Sequence, residues 1–359
     1  AHFKGAPWNT WPREIRQREP RPMSAARRAL ADEVGFHSWT QWCFHSAWED
    51  LRAHARDRGI SIVGDMPIFV AYDSADVWAH PEHFYLDDDG NPTVVAGVPP
   101  DYFSATGQRW GNPLYRWDAL EDDGFAWWIA RIRQALRTCD LVRIDHFRGF
   151  EAYWEIPATE PTAVRGRWVR APGKKLLQAL QAEVGQAPIL AEDLGVITPE
   201  VETLRDRFGF PGMRVLQFAF GNGEESPHLP HNYPPHGRVL VYTGTHDNDT
   251  TLGWYRSAPP AERERARAYL AQNGIPLDRD EEAPWALISL AFGSRAALAM
   301  VPLQDVLGLG GRARMNHPGR PEGNWAWRYR GSALTEALAA RLQALAVETG
   351  RVALYGSVR

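Results

Sequence analysis

Cysteine is nearly absent from this chain. Cys43 and Cys139 are the only two, which excludes a disulfide framework. Their apolar, helix-like surroundings predict buried free thiols and a reducing compartment, that is, the cytoplasm. Lysine is scarce as well: Lys4, Lys174 and Lys175 stand alone among 40 Lys and Arg side chains. The net charge of -4 gives no basis for expecting nucleic acid or an anionic membrane as partner. No apolar run reaches the roughly 20 residues of a membrane span. The N-terminal Ala-His-Phe-Lys-Gly-Ala-Pro-Trp-Asn-Thr-Trp has no apolar core of the kind a signal peptide carries. No internal repeat and no low-complexity tract are visible.

What remains is an ordinary globular composition, 44% hydrophobic and 23% charged, with one excess: 16 tryptophans. Trp offers a broad apolar face with one polar handle. Most will be core, and an excess also suits the stacking of pyranose rings. A length of 359 residues fits one large barrel or two medium domains.

Three acidic residues each close a β-like run. They are Asp145 in Leu-Val-Arg-Ile-Asp, Glu192 in Pro-Ile-Leu-Ala-Glu-Asp, and Asp247 in Val-Leu-Val-Tyr-Thr-Gly-Thr-His-Asp-Asn. A buried parallel strand reads as a near-continuous apolar run. Charge at its C-terminal end is where a (β/α)8 barrel carries its chemistry. Further strands are expected near Asp65, over 213 to 220, and at 299 to 304. Helices are expected at 38–58, 122–139, 173–184, from Thr198-Pro199, at 260–273, 284–299 and 332–349. Strands and helices alternate, which predicts a parallel α/β, (β/α)8 barrel-type fold. Only six barrel-type strands can be counted where a full barrel needs eight. The catalytic barrel is expected to occupy 1–359 without its first strands, with an inserted hairpin and lid region at 82–120. Asp89-Gly90-Asn91-Pro92 reads as the turn of a hairpin over 82–100.

Paired carboxylates suggest glycosidic bond chemistry, in which one is nucleophile and the other proton donor. Strand alternation puts Arg143 and Asp145 on one face. That places a guanidinium close enough to keep the acid ionised, as a nucleophile requires; a purely structural Arg–Asp pair reads the same way. Glu192 and its neighbour Asp193 point opposite ways, so only one can face the barrel axis. An acid near an ionised carboxylate holds its proton more tightly. Helix capping is the plainer reading for the Glu192-Asp193 pair, and an Asx turn for Asp247. His246-Asp247-Asn248 has no second histidine cluster with ligand spacing. Asp87-Asp88-Asp89 lacks the spaced ligands and closing Glu of a calcium loop. No metal or cofactor is expected.

Taken together, these motifs resemble the amylomaltases (4-α-glucanotransferases, disproportionating enzymes) of glycoside hydrolase family 77, in the α-amylase clan. The resemblance runs from about Trp8 to the C-terminus. It rests on Gly-Asp-Met-Pro-Ile-Phe-Val-Ala (64–71), Ala-Gly-Val-Pro-Pro-Asp-Tyr-Phe-Ser (96–104), Gly-Gln-Arg-Trp-Gly-Asn-Pro-Leu-Tyr (107–115), Arg-Ile-Asp-His-Phe-Arg-Gly (143–149), Ala-Glu-Asp-Leu-Gly (191–195) and Tyr-Thr-Gly-Thr-His-Asp-Asn (242–248). Asn316-His-Pro-Gly and Asn324-Trp-Ala-Trp-Arg328 match near the end.

The resemblance implies Asp145 as nucleophile, Glu192 as general acid/base and Asp247 as transition-state stabiliser. It implies Asp65, Arg143, His146, His246 and Asn316 as substrate-binding positions, Asp101, Tyr102 and Phe103 as a mobile lid, and Trp110 as an aromatic lining residue. Donor and acceptor would both be α-1,4-glucans. The same triad would serve a retaining α-glucan hydrolase, and a non-catalytic glucan-binding fragment is the alternative of another class. The family's N-terminal portion, with its first two barrel strands, has no counterpart here. The chain is therefore expected to be part of a longer polypeptide, with that N-terminal part as its partner.

Overall fold

The computed structural model describes residues 3–100, 104–221, 223–235, 237–320 and 322–352. The chain forms two compact units, Ala1–Phe208 and Gly209–Arg359.

The first unit is built on a parallel sheet of β1 (Val63–Pro67), β4 (Leu141–Asp145) and β7 (Ile189–Ala191), in the order β1-β4-β7. Between β1 and β4 lie β2 (Val94–Val98) and β3 (Gln108–Pro113); between β4 and β7 lie β5 (Ala152–Pro157) and β6 (Arg167–Arg170). These four make an antiparallel sheet ordered β3-β2-β5-β6. The parallel strands are short, and β4 and β7 are buried: Val142, Ile144, Ile189, Leu190 and Ala191 all lie in the core. Helix cover accounts for part of that burial: helix Ala126–Thr138 packs on β1 and β4 and against helix Gly173–Val184. Helix Ala126–Thr138 leads into β4 and buries Trp128, Ile129 and Ile132; helix Gly173–Val184 leads into β7 and buries Leu176, Leu177 and Leu180. Each such side chain contributes roughly 1.5–3 kcal/mol by leaving water. Register places Asp65 opposite Arg143, and Pro67 opposite Asp145. Ile144, just before Asp145, stands opposite Ala191, just before Glu192. The two acids thus leave adjacent strands at the same level. The strand needs glycine at Gly64, where a Cβ would stand 2.6 Å from the Sγ of Cys139.

Both thiols are free; Cys139 is buried, while Cys43 is only partly so. The long helix Ala31–Arg56 explains the difference. It turns Val34, Phe36, Trp39, Trp42 and Phe44 outward, and the one residue it buries is Ala55.

The hairpin expected over 82–100 forms differently. Around Asp89-Gly90 there is one bridge, Leu86 with Pro92. The Asp87 carboxylate accepts the N–H groups of Asp89 and Asn91 at 3.0 and 2.8 Å, so the acidic run folds onto its own backbone as an Asx turn. The extended hairpin is β2–β3, continued by β5 and β6.

The second unit has a parallel sheet of β8 (Gly212–Val215), β9 (Val239–Tyr242) and β10 (Leu298–Met300), ordered β10-β9-β8. The strand read over 213–220 stops at Val215. There the chain turns into a 3-10 helix over Leu216–Phe218, and the Gln217 N–H reaches the Thr243 carbonyl. Val239, Val241, Leu216, Phe220, Tyr255, Leu287 and Leu290 form the core. Helix Ala283–Gly293 is apolar nearly all round and accordingly buried. Six parallel strands are therefore present, three in each unit, although the one read over 299–304 ends at Met300 and the chain is helical over Leu303–Val306. Among the described residues no helix is long and apolar enough to cross a membrane.

Candidate active site

In the first unit, chemistry gathers where β1, β4 and β7 end. The Arg143 guanidinium is buried and joins two carboxylates, Nη1 to Asp65 Oδ1 at 2.5 Å and Nη2 to Asp145 Oδ1 at 2.8 Å. Burial works against its charge, but Asp65, Asp145 and Glu192 outweigh burial and hold the guanidinium above its ordinary range. The Asp145 side chain stays 45% exposed, so the same carboxylate is both clamped and reachable. A charge-assisted bond to a permanent cation favours the ionised acid.

Glu192 is held by backbone. Its Oε2 accepts the His146 N–H at 2.7 Å, and its Oε1 accepts the Leu194 N–H at 2.8 Å. His146 can aim its N–H there because it adopts the left-handed conformation, φ 56°, immediately after the strand. A non-glycine residue in that region is uncommon and tends to mark a constrained site. Burial first, and then the Asp145 charge, push Glu192 up to about 7, against Arg143 and the two backbone donors. One acid is stabilised as carboxylate, and its neighbour holds a proton near neutral pH.

Asp193 goes the other way. It is buried and paired with the buried Arg205, which itself also binds Asp206. Of the two neighbouring acids, it is Glu192 that lies with Asp145 and Arg143.

Aromatic side chains border the pair. The Trp110 ring meets the His146 ring edge-on at 4.9 Å, and Phe69 lies 6.4 Å from His146 and 6.5 Å from Trp110. Trp110 is partly exposed, so an apolar face is presented beside the acids. Burial and then Arg148 push His146 down to about 3, which keeps its imidazole neutral. Its Nε2 is buried with no hydrogen-bond partner among the described residues.

The second unit holds Asp247 just past β9. Asn316 Nδ2 donates to Asp247 Oδ1 at 2.6 Å, and His246 Nε2 stands 3.3 Å from Oδ2. Arg314 Nη2 donates to the Asp247 carbonyl at 2.6 Å, and the Asn316 N–H to that of His246 at 3.1 Å. The Asn248 side chain closes the loop beneath: its Oδ1 accepts from both the N–H and the Oγ1 of Thr245 at 2.8 Å. The Trp325 ring sits 5.1 Å from His246. The expected residues His246, Asp247 and Asn316 are thus one local group. Behind it Asp305 is fully buried; Thr243 and Thr251 each donate a hydroxyl to it at 2.6 Å. Burial pushes its carboxyl up despite those donors.

Asp65, Trp110, Arg143, Asp145, His146 and Glu192 come together in the first unit. Asp101, Tyr102 and Phe103 lie outside the described residues. Sequence reasoning missed the backbone donors of His146 and Leu194, and also Phe69, Arg314 and Trp325. Only Gly149 offered a signal for the His146 turn: a Cβ there would stand 2.7 Å from Ile68 Cδ1 and 3.2 Å from His146 Cδ2.

Comparison with known proteins places this geometry in context. The family described as 4-alpha-glucanotransferase, glycoside hydrolase 77, matches residues 1–335. The 4-alpha-glucanotransferase of Thermus thermophilus is 64% identical over 348 residues, covering 97% of this chain and 70% of that protein. That of Synechocystis is 50% identical over 349 residues, covering 97% and 68%. Among solved structures, an amylomaltase from Streptococcus agalactiae in complex with acarbose superposes with a TM-score of 0.92 at 37% identity, covering 97% of this chain and 70% of that one. The α/β, barrel-type class expected from the alternation of strands and helices is borne out by that likeness.

Proposed function

Because this chain belongs to glycoside hydrolase family 77, the 4-alpha-glucanotransferases, we propose that it moves α-1,4-glucan segments from one maltooligosaccharide or starch chain to the 4-hydroxyl of another by a retaining double displacement. The observation that carries this reading is the unequal pair: Asp145 clamped by Arg143 at 2.8 Å, and Glu192 pushed up to about 7 beside it. Retaining glycoside chemistry asks for that division between an ionised nucleophile and a protonated acid.

In the first step the Asp145 carboxylate attacks the anomeric carbon. The glycosidic bond breaks, and its oxygen takes the Glu192 proton. A glucosyl ester on Asp145 results. In the second step the acceptor's 4-hydroxyl gives its proton to the Glu192 carboxylate and attacks the same carbon, releasing Asp145. Trp110 offers a stacking face for a sugar ring. His146, being neutral, binds hydroxyls and adds no charge. Asp247, with Asn316 and His246 around it, is assigned by its motif to binding sugar hydroxyls as the transition state forms. From the sequence alone, Asp101, Tyr102 and Phe103 are assigned to keeping water from the ester, which is the physical condition for transfer over hydrolysis. The steps use side-chain acids and bases throughout. Free thiols at Cys43 and Cys139 fit a cytoplasmic enzyme.

Chromatography of products from maltotriose tests the reading. Glucose together with longer maltooligosaccharides is the expected result. Glucose and maltose with a matching growth in reducing ends would mean hydrolysis, and unchanged maltotriose would mean binding without turnover.

A further inference from the structure

The segment after β1 brings together three side chains that the glucan chemistry does not use. His80 ends the short helix Ala75–Ala79, and the 3-10 turn Pro81–His83 follows at once. That turn folds His80, Glu82 and His83 so that one ligand atom from each lies within 4.8 Å of the others. His80 Nδ1 is 3.4 Å from Glu82 Oε1. Two ligands about 2 Å from one tetrahedral ion stand about 3.4 Å apart, so this spacing is an edge of such a site.

The second observation concerns His83. It is only 8% exposed. Its Nε2 lies 3.4 Å from Asp123 Oδ2, while its Nδ1 is buried and has no hydrogen-bond partner among the described residues. A buried polar atom left unpartnered is costly. A histidine whose one nitrogen meets a carboxylate and whose other nitrogen is unused is the arrangement found where histidine binds a metal. The carboxylate beside Nε2 favours a proton there, which leaves the Nδ1 lone pair for the ion.

We propose that His80, Glu82 and His83 bind a divalent transition metal of the zinc class, with Asp123 orienting His83. Two imidazole nitrogens and one carboxylate oxygen suit zinc, cobalt and nickel ions and are too nitrogen-rich for calcium or magnesium. His80 and Glu82 are exposed, so ions reach the site from solvent. The His80 and His83 rings lie nearly parallel, 5.3 Å apart, so sharing one ion requires His80, the exposed ring of the two, to rotate towards it. Glu82 Oε2 also lies 3.9 Å from Arg18, a distance at which the arginine does not compete for both carboxylate oxygens.

The ion would be structural. The His83 carbonyl accepts the Arg116 N–H at 2.8 Å, and Asp123 follows helix Trp117–Asp122. A bound ion would therefore tie the turn after β1 to the chain around that helix. It would stabilise the folded state by mass action.

The test uses the whole chain, stripped of metal with a chelator and titrated with zinc and, separately, cobalt. One tightly bound equivalent of zinc, a raised thermal midpoint, and the visible absorption of tetrahedral cobalt are expected. His80→Ala and Glu82→Gln, both at exposed positions, should lose the tight equivalent, the cobalt bands and the thermal shift while keeping glucan transfer. Asp123→Asn should weaken zinc about 10- to 100-fold. A wild-type chain that binds zinc no more tightly than His80→Ala, or cobalt bands that survive both ligand substitutions, would overturn the proposal.

Discussion

The backbone N–H of His146 donates to the Glu192 carboxylate at 2.7 Å. The residue that follows one candidate catalytic acid therefore positions the other. Asp145 and Glu192 are linked through a single peptide unit, so what shifts the turn after β4 shifts both.

Asp145→Asn is expected to lower transfer from maltotriose by several orders of magnitude while glucan binding persists. An amide keeps the shape and cannot form the glucosyl ester. Turnover and calorimetric binding measured on one preparation check this. More than a tenth of the original activity would remove Asp145 from the nucleophile's place.

Glu192 must be protonated for the first step, and its carboxyl is pushed up to about 7. Activity should therefore decline as pH rises through about 7, with an alkaline limb in the kcat/KM profile. In Glu192→Gln that limb should vanish. With a glucosyl fluoride donor, whose departure needs no acid, azide should restore turnover. A limb that persists in this variant would assign the proton to another group.

Arg143 acts on Glu192 in the opposite sense to Asp145, drawing it down. Replacing the arginine removes that pull, so Arg143→Gln should move the alkaline limb to higher pH. The rate should fall as well, by about 10²-fold or more, since a fixed charge beside the reacting centre is lost. An unmoved limb at reduced rate would mean that Arg143 and Glu192 are not coupled.

Gly149→Ala forces a Cβ to within 2.7 Å of Ile68 and 3.2 Å of His146. The expected cost is about 1–3 kcal/mol of stability, the usual range for overpacking. Activity should fall further than stability, because the displaced turn carries the N–H bound to Glu192. Denaturant midpoints alongside kcat separate the two effects, and a loss of stability with normal kcat would contradict the link.

Asn316 Nδ2 donates to Asp247 Oδ1 at 2.6 Å. Asn316→Ala should reduce kcat/KM by about tenfold, near the lower end for losing a hydrogen bond to a charged group because Asp247 is partly exposed. If Asp247→Asn proves silent as well, this cluster serves only to hold its loop.

The parts of the fold legible in the sequence were those with a local cause. The six apolar runs announced their strands, and the Thr198-Pro199 pair marked a helix start, realised as Pro199–Arg207 with Pro at its first position. Arg143 and Asp145 shared a face by strand alternation, and the structure has them paired. The expected hairpin at 82–100 was misplaced because Asp87 side-chain bonds captured a turn that composition alone made look like a hairpin tip. The choice between Glu192 and Asp193 could not be made locally, because it depends on Arg205, a partner supplied by a later helix. Likewise the raised pKa of Glu192 comes from burial and from a neighbour on another strand, which no single segment encodes.

The shared guanidinium has a consequence for the reaction as a whole. With Glu192 protonated, the carboxylates of Asp65 and Asp145 and the one cation of Arg143 leave a single negative charge. Once Asp145 has become an ester, Glu192 has given up its proton, and the total is the same. The charge has only migrated from one acid to the other, and Arg143 interacts with both. No counterion has to enter or leave between the half-reactions. Burial still favours the proton on Glu192, but the Asp145 charge that added to it is gone at that moment, so Glu192 is a weaker base when the next acceptor arrives. The arrangement resets itself when the sugar departs.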